Sequence, residues 1–296
     1  MPTHVPTLTG RTIRSILFDF GDTLWTRNDD TTWRNAERAG NQRAIAILRK
    51  YFTTLPTTDT TTLGDRLRRE IAKHTSNLQK PGYEADYALA TQEALQELGL
   101  PTVERAVAEE IFEGLRLRIP ESRHLFDDIL PTLEELRRRG FLLGVVTNRQ
   151  YGGEPFLEDL QTLGLLDYFA VEHIAISADL GIRKPNAAIY LHALKALGVA
   201  PEEAAMVGDS IVADVVGAKL LNLFAVWKPK PRLRGEVRHI LPEGTLHIDD
   251  RDLVAYAYHR EAKRYQLTSD DNEIQPDLII EHLAELLDVF KRAGKQ

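Results

Sequence analysis

The sequence predicts an α/β protein, in which an inserted all-α domain interrupts a doubly wound parallel sheet. Short apolar runs, the first at residues 13–18, end in polar or carboxylate side chains, as buried parallel strands do. From Leu125 onwards such runs alternate with segments of helical periodicity, which indicates βαβ units with right-handed crossovers. Residues 26–123 have helical periodicity alone. We therefore expect them to form a separate helical domain.

The first apolar run places a carboxylate at its end. Residues 13–18 are rich in β-branched and aromatic side chains, and Asp19 follows them directly. Ligands of open α/β sheets bind at the carboxyl ends of the strands, so Asp19 is a candidate functional residue. A loop or helix-capping aspartate is the alternative interpretation, and this stretch alone does not decide between the two.

Four helices are predicted within residues 26–123. Apolar residues recur at helical spacing in four stretches, separated by loops rich in threonine, proline or glycine, at residues 33–51, 63–78, 87–98 and 106–115. No strand is predicted between Trp25 and Pro120. The leucine and aromatic stripes of these helices are typical of a helical core.

The second half of the chain alternates between strands and helices. Strands are predicted at residues 141–146, 173–177, 204–207, 223–227 and 278–280. Helices are predicted at residues 129–139, 154–163, 186–197, 211–220 and 281–292. The polar segment 228–275 lies between the last two predicted strands and is not needed to complete this alternation of strands and helices.

The segment 228–275 begins with a basic run at residues 228–234. We interpret this run as a solvated loop, and the alternative is a source of positive charge for an anionic substrate. Residues 254–265 predict a helix that packs either on the core or on a second copy of the chain, so a homodimer is one of the alternatives.

The composition excludes several classes of protein. The chain has 296 residues, 43% hydrophobic and 27% charged, which suffices for one large core and a smaller domain. Its net charge of −7 argues against a general nucleic-acid-binding protein, and zero cysteines exclude disulfides and thiolate catalysis. It shows neither a membrane-spanning run nor a secretion signal, so we expect a cytoplasmic protein without membrane partners.

Polar side chains follow four of the predicted strands. They are Asp19, Thr147, Lys184, and Asp209 with Asp214. Because the carboxyl ends of parallel strands open on one edge of the sheet, we expect these groups to meet in one crevice. Carboxylates there can act as nucleophiles or bind a divalent cation, while a hydroxyl and an ammonium can hold phosphate oxygens. Taken singly, Asp209 is equally explained as a helix cap, and Lys184 as a solvated loop residue.

Four motifs in this order resemble the haloacid dehalogenase (HAD) superfamily, chiefly its phosphatase branch. They are FDFGDTL at 18–24, VVTN at 145–148, GIRKP at 181–185 and MVGDSIVAD at 206–214. The resemblance implies a discontinuous Rossmann-like core at 11–25, 124–227 and 276–293. It also implies that residues 26–123 are the mobile helical cap domain of that superfamily. The segment 228–275 is left as an extra insertion of unknown role.

The resemblance also implies catalytic roles. Asp19 would attack phosphorus and form an aspartyl-phosphate, which water would hydrolyse. Thr147 and Lys184 would hold the phosphoryl oxygens, with Asn148 beside them at the substrate. Independently of the resemblance, the position of Arg27 directly after the first motif predicts that it meets the substrate from the hinge.

A magnesium ion is the cofactor that the resemblance implies. Its ligands would be Asp19, the backbone carbonyl of Gly21 and Asp209, with Asp214 in the surrounding shell or bound through water. These are oxygen ligands, which Mg²⁺ prefers.

One residue departs from the phosphatase pattern. Phosphatases of the superfamily usually have a second aspartate two residues after the nucleophile, which acts as the acid and base, whereas this chain has Gly21 there and Asp22 one step later. Three hypotheses follow. The enzyme acts on phosphates with good leaving groups, Asp22 substitutes as the acid and base, or the chain binds a phosphorylated ligand with little turnover.

The sequence therefore favours a Mg²⁺-dependent phosphatase of small phosphorylated metabolites. A haloacid dehalogenase-type hydrolase is the first alternative, since it needs neither the missing acid nor a metal. Asp209 and Asp214 argue against it, because they would have no cation to hold. A phospho-ligand-binding regulatory protein that is catalytically weak is the second alternative, and Gly21 is the residue that favours it.

Overall fold

A six-stranded parallel sheet is the centre of the fold. The computed structural model describes residues 8, 10–57, 59–240, 248–265 and 275–292. Its strands, in chain order, are β1 (Ser15–Phe18), β2 (Trp25–Arg27), β3 (Arg123–Leu125), β4 (Leu142–Thr147), β5 (Ile174–Ile176), β6 (Ala204–Gly208), β7 (Phe224–Trp227) and β8 (Leu278–Ile279). The strand order in the six-stranded sheet is β5-β4-β1-β6-β7-β8. Helices flank this sheet, which confirms the predicted α/β fold class.

Strand β1 lies in the middle of the sheet between β4 and β6, and all four of its residues are buried. Leu17 packs in a cluster with Ile189, Val212 and Val215 on one face. The residues on either side of it point to the opposite face, because side chains alternate along a strand. Burial on both faces explains why the sequence has a continuous apolar run here.

The helices follow the predicted order with shifted ends. They are α1 (Asp30–Tyr51), α2 (Thr60–Leu78), α3 (Tyr87–Glu97), α4 (Arg105–Gly114), α5 (Ile119–Ser122), α6 (Ile129–Arg138), α7 (Gly153–Thr162), α8 (Ser177–Leu180), α9 (Ala187–Leu197), α10 (Gly217–Lys219), α11 (Leu233–Arg238), α12 (Asp250–Tyr265) and α13 (Leu286–Val289). Short 3₁₀ turns lie at Val171–His173, Pro201–Glu203 and Leu283–Glu285. None of the helices in the described part of the chain is long and apolar enough to cross a membrane.

Two predicted helices are broken by long-range contacts. The segment predicted as one helix at 211–220 is a π-helix at Ile211–Val216 followed by α10. The hydroxyl of Tyr190 donates to the Ala213 carbonyl there and competes with helical bonding. The predicted helix at 281–292 is reduced to a 3₁₀ turn and α13, and the Arg139 guanidinium donates to the carbonyl of Phe290, directly after α13, at 2.8 Å.

Contacts divide the chain into two compact units. One comprises Met1–Thr26, Leu125–Arg149 and Leu160–Gln296, and the other comprises Arg27–His124 with Gln150–Asp159. Strands β2 and β3 pair where the chain passes between the units. The sequence predicts no strand between Trp25 and Pro120. That prediction is wrong at the start of this range, where Trp25–Arg27 form β2.

Helices α1 to α4 build the core of the second unit. Its buried apolar cluster includes Leu48, Leu67, Leu95 and Ile111. The first three helices begin at aspartate N-caps whose side chains accept backbone N–H bonds, at Asp29, Asp59 and Asp86. The segment Gln150–Asp159 joins this unit through a buried ion pair between Arg116 and Asp159.

The segment after β7 packs against the sheet through α12. Leu253, Val254, Ala257 and Tyr258 are buried in the cluster that contains β6 and β7 residues. The sequence predicts that this helix packs either on the core or on a second copy of the chain. In the structure it packs on the core. Residues 241–247 and 266–274 of the predicted insertion 228–275, and residue 293 at the end of the predicted core, lie outside the described residues.

Candidate active site

Asp19 lies at the carboxyl end of the central strand β1. Its backbone N–H donates to the carbonyl of Val207 at 2.9 Å, which continues the pairing of β1 with β6 by one residue. Its side chain is buried, with 7% of the residue exposed. A carboxylate buried at this edge of the sheet needs a partner, because burial of an unpaired charge is costly.

Lys184 is that partner. Its Nζ lies 2.7 Å from Asp19 Oδ1, 2.6 Å from Asp214 Oδ1 and 2.7 Å from the carbonyl oxygen of Val146. These three acceptors match the three N–H donors of an ammonium group. Burial lowers the pKa of Lys184, but Asp19 and Asp214 raise it by more, so Lys184 stays positively charged.

Asp209 and Asp214 approach the same point from the end of β6. Asp214 lies in the π-helix and accepts a bond from the backbone N–H of Ser210 at 2.9 Å. Burial raises the pKa of Asp214 to about 6, although Lys184 lowers it. Burial also raises the pKa of Asp209 well above its usual value, against the lowering effect of Lys230.

Asp19, Asp209 and Asp214 form a buried acidic triad. One carboxylate oxygen from each lies within 4.8 Å of the others. Carboxylate oxygens are the kind of ligand that Mg²⁺ prefers in proteins. The residues at this edge of the sheet therefore fit a divalent cation.

Thr147 and Asn148 end strand β4 beside Lys184. Thr147 is the last residue of the strand and is 1% exposed. The Asn148 side chain donates to the Lys184 carbonyl at 3.0 Å and accepts from the Lys184 N–H at 2.8 Å. This pair of bonds fixes the backbone of Lys184, so the Asn148 amide is engaged with the protein itself.

Asp22 is held in a tight turn. Its φ of +56° lies in the left-handed region, which aspartate tolerates better than most residues, and its N–H donates to the Trp25 carbonyl at 2.7 Å. Its Oδ1 accepts from the Thr26 hydroxyl at 3.1 Å, and its Oδ2 lies 3.0 Å from Lys230 Nζ. Both carboxylate oxygens are therefore occupied.

Arg27 belongs to the helical unit. Its guanidinium pairs with Asp30 at 2.9 Å and stacks 4.3 Å from the ring centroid of Trp33. About half of its side chain is exposed to solvent.

The basic run after β7 is not a solvated loop, which corrects the prediction for Lys228 and Lys230. Lys228 is 3% exposed and its Nζ lies 3.8 Å from the centroid of the Phe126 ring. Lys230 Nζ lies 3.0 Å from both Asp22 Oδ2 and Asp209 Oδ2. The signal that could have located them is their position directly after a predicted strand end.

Glu261 also escaped the sequence analysis. Its carboxylate, on α12, accepts from the Ser210 hydroxyl and from the Val212 N–H. No periodicity or motif relates Glu261 to this segment, because the two are 49 or more residues apart.

The comparisons with known proteins identify the family of the chain. Residues 13–222 match the model of a hydrolase family, the haloacid dehalogenase-like hydrolases. The chain belongs to this family. Lys228, Lys230 and Glu261 lie beyond the matched region.

Several similar HAD proteins are phosphatases. A phosphoserine phosphatase of Thermus thermophilus is 43% identical over 139 residues, which are 46% of this chain and 51% of the relative. A glyceraldehyde 3-phosphate phosphatase of Pyrococcus furiosus is 41% identical over 98 residues, 32% of this chain and 38% of the relative. A phosphoglycolate phosphatase of Nitrosococcus oceani is 41% identical over 118 residues, which are 39% of this chain and 49% of the relative. The chain spans about half or less of the length of these curated relatives.

Solved structures share the HAD fold across two reaction types. The crystal structure of a HAD phosphatase from Thermococcus onnurineus has a TM-score of 0.52 at 22% identity and covers 96% of this chain and 100% of its own. A 2-haloacid dehalogenase from Pseudomonas syringae pv. Tomato has a TM-score of 0.53 at 25% identity, and it covers 94% of this chain and 98% of its own. The fold alone therefore does not select the reaction.

Proposed function

We propose that this HAD-family chain is a Mg²⁺-dependent phosphatase of small phosphorylated metabolites that reacts through an aspartyl-phosphate on Asp19. The observation that carries the proposal is the position of Lys184 Nζ, 2.7 Å from Asp19 and 2.6 Å from Asp214. This position places the buried Asp19 side chain against the Lys184 ammonium, in the acidic triad with Asp209 and Asp214. The phosphatase relatives from Thermus, Pyrococcus and Nitrosococcus support a small phosphorylated substrate.

The two oxygens of Asp19 have different surroundings. Lys184 binds Oδ1 and fixes the carboxylate, and Oδ2 lies 3.9 Å from the point where a side chain at position 21 would begin. We assign Oδ2 to the attack on phosphorus. The Oδ2–P bond forms as the bond from phosphorus to the leaving group breaks, and the leaving group departs with the electron pair. Water then attacks phosphorus, which releases inorganic phosphate and restores Asp19.

The neighbouring polar residues bind the substrate in this proposal. The Thr147 hydroxyl and the Lys184 ammonium stabilise charge on the phosphoryl oxygens, and Lys184 also offsets the charge of Asp19. Asn148 acts through its two bonds to the Lys184 backbone. Arg27 is proposed to contact the substrate from the helical unit.

The proposed magnesium ligands are Asp19, the Gly21 carbonyl and Asp209, with Asp214 behind them. When bound, the ion supplies positive charge that neutralises the phosphoryl oxygens. The buried acidic triad supports this assignment, since it offers one carboxylate oxygen from each of three residues close together.

The helical unit is proposed to be the cap, with residues 26–123 as its extent and residues 11–25, 124–227 and 276–293 as the core. A cap domain excludes water during the reaction and selects the substrate. This role favours small molecules over polymers.

A dehalogenase is the second candidate, favoured by Gly21. Displacement of a halide needs no proton donor, and Gly21 has no side chain to supply one. The acidic triad weighs against this candidate, because in a metal-free displacement Asp209 and Asp214 would have no cation to hold.

Hydrolysis of 4-nitrophenyl phosphate tests the proposed function. We expect turnover by the full chain with Mg²⁺, and its loss with a chelator or in Asp19→Asn, which keeps the size of the side chain but removes its charge. Chloride release from 2-chloropropionate in place of phosphate release would establish the dehalogenase instead. Phosphate turnover that survives in Asp19→Asn would refute the role of Asp19.

A further inference from the structure

We infer that this enzyme acts on phosphoryl compounds whose leaving group departs as a stable anion without taking a proton from the protein. Acyl phosphates and aryl phosphates are members of this class, and phosphate esters of alkyl alcohols are not. The inference rests on the proposed function and narrows it to a substrate class.

Position 21 is where a proton donor could stand. A Cβ at this position would lie 3.9 Å from Asp19 Oδ2, the oxygen assigned to attack. A side chain there would therefore lie beside the oxygen that attacks in the proposed mechanism. Glycine has no side chain, so position 21 itself supplies no proton donor.

Asp22 does not replace it. Its Oδ1 accepts from the Thr26 hydroxyl and its Oδ2 from Lys230 Nζ at 3.0 Å. Its backbone is in the left-handed region, and its N–H is bonded to the Trp25 carbonyl. To face a leaving group, Asp22 would have to give up both side-chain contacts and leave the turn.

The described lysines of the site are also engaged. Lys184 places its three donors on Asp19, Asp214 and Val146. Lys230 bridges Asp22 and Asp209, so the two contacted oxygens of these carboxylates lie within about 6 Å of each other. The Nζ of Lys228 lies over the Phe126 ring. Each of these ammonium groups therefore contacts carboxylates or an aromatic ring of the protein itself.

The consequence depends on the basicity of the leaving group. A positioned acid contributes about 10²–10⁴-fold to the rate when the leaving group needs a proton. A carboxylate or phenolate leaving group needs little help, because the pKa of its conjugate acid is about 4 or about 10. An alkoxide does need it, since its basicity is close to that of hydroxide, with a pKa of about 16 for water.

The test compares leaving groups on the full chain with Mg²⁺. We expect kcat/KM to be high for acetyl phosphate and 4-nitrophenyl phosphate, lower for phenyl phosphate, and lower again for ethyl phosphate by about 10²–10⁴-fold. In Gly21→Asp, the ratio of kcat/KM for ethyl phosphate to kcat/KM for acetyl phosphate should rise by about the same factor. Gly21→Asn is the matched control, because its side chain has the same size and no acidic proton.

The outcomes are distinct. Comparable kcat/KM for ethyl and phenyl phosphates in the wild type would overturn this inference and leave the proposed function standing. An equal gain on ethyl phosphate in Gly21→Asn and Gly21→Asp would also overturn it, since size and not acidity would be responsible. Failure to hydrolyse even acetyl and 4-nitrophenyl phosphates would refute the proposed function, and this inference with it.

Discussion

The carboxylate of Glu261 accepts a hydrogen bond from the backbone N–H of Val212 at 2.9 Å. The same carboxylate oxygen accepts a bond from the Ser210 hydroxyl. Both donors lie in the segment that joins Asp209 to Asp214, at Ser210 and the start of the π-helix. Glu261 belongs to α12, outside the residues that match the family. Helix α12 therefore fixes the segment that carries two members of the acidic triad.

Replacement of Glu261 should weaken cation binding. Glu261→Ala leaves the Val212 N–H and the Ser210 hydroxyl without their acceptor, which should lower the free energy of unfolding by about 1–3 kcal/mol. The released segment should weaken Mg²⁺ binding severalfold, measured by calorimetry. Glu261→Gln keeps an acceptor oxygen and should retain most of both properties.

Glu236→Ala is the control for this experiment. Glu236 lies on α11 and pairs with Arg232 and Arg260 at the surface. Exposed pairs of this kind contribute about 0–1 kcal/mol, so stability and Mg²⁺ binding should change little. Mg²⁺ binding by Glu261→Ala at the wild-type affinity would show that α12 does not fix the segment.

Removal of the Lys230 charge should strengthen Mg²⁺ binding. Lys230 Nζ lies 3.0 Å from Asp209, so a cation held by Asp209 is repelled by the ammonium. In Lys230→Met at pH 8 we expect the dissociation constant for Mg²⁺ to fall by roughly tenfold. The melting temperature without Mg²⁺ should fall, since Asp22 and Asp209 lose their partner, and Mg²⁺ should raise it by more than in the wild type.

The matched control is Lys219→Met. Lys219 is exposed to a similar extent and pairs with Asp277 at 2.7 Å, away from the acidic triad. Its replacement should leave the Mg²⁺ dissociation constant unchanged. Weaker Mg²⁺ binding in Lys230→Met would mean that Lys230 organises the cation site, contrary to this prediction.

The strand-end residues of the site could be predicted from sequence because one rule places them. Asp19, Thr147 and Asp209 each follow or end a continuous apolar run, and such runs become parallel strands whose ends share an edge. The motif residues Lys184 and Asp214 meet at Asp19 in the structure. Their catalytic and metal-binding roles stay predictions.

Other contacts could not be predicted, since they depend on where irregular segments pack. Lys230 reaches Asp22 and Asp209 from a loop without periodicity, so the sequence favoured a solvated charge. The π-helix at Ile211–Val216 depends on the Tyr190 hydroxyl, a contact across 23 positions. Local propensity favours an α-helix there, and tertiary contacts override it.

Gly208 is required because the Asp214 side chain fills the space beside it. A Cβ on Gly208 would lie 2.1 Å from Cγ of Asp214, a distance that no relaxed structure allows. Gly208→Ala should therefore displace the Asp214 carboxylate from Lys184 and cost about 1–3 kcal/mol in the free energy of unfolding. Since Asp214 belongs to the acidic triad, Mg²⁺ binding should weaken in the same variant.

Gly235→Ala in α11 is the control, because its Cβ would meet no atom within 4 Å. Alanine at position 235 should be neutral or stabilising by up to about 1 kcal/mol. Urea unfolding and Mg²⁺ calorimetry measure both variants, and wild-type values for Gly208→Ala would show that Asp214 does not depend on this contact.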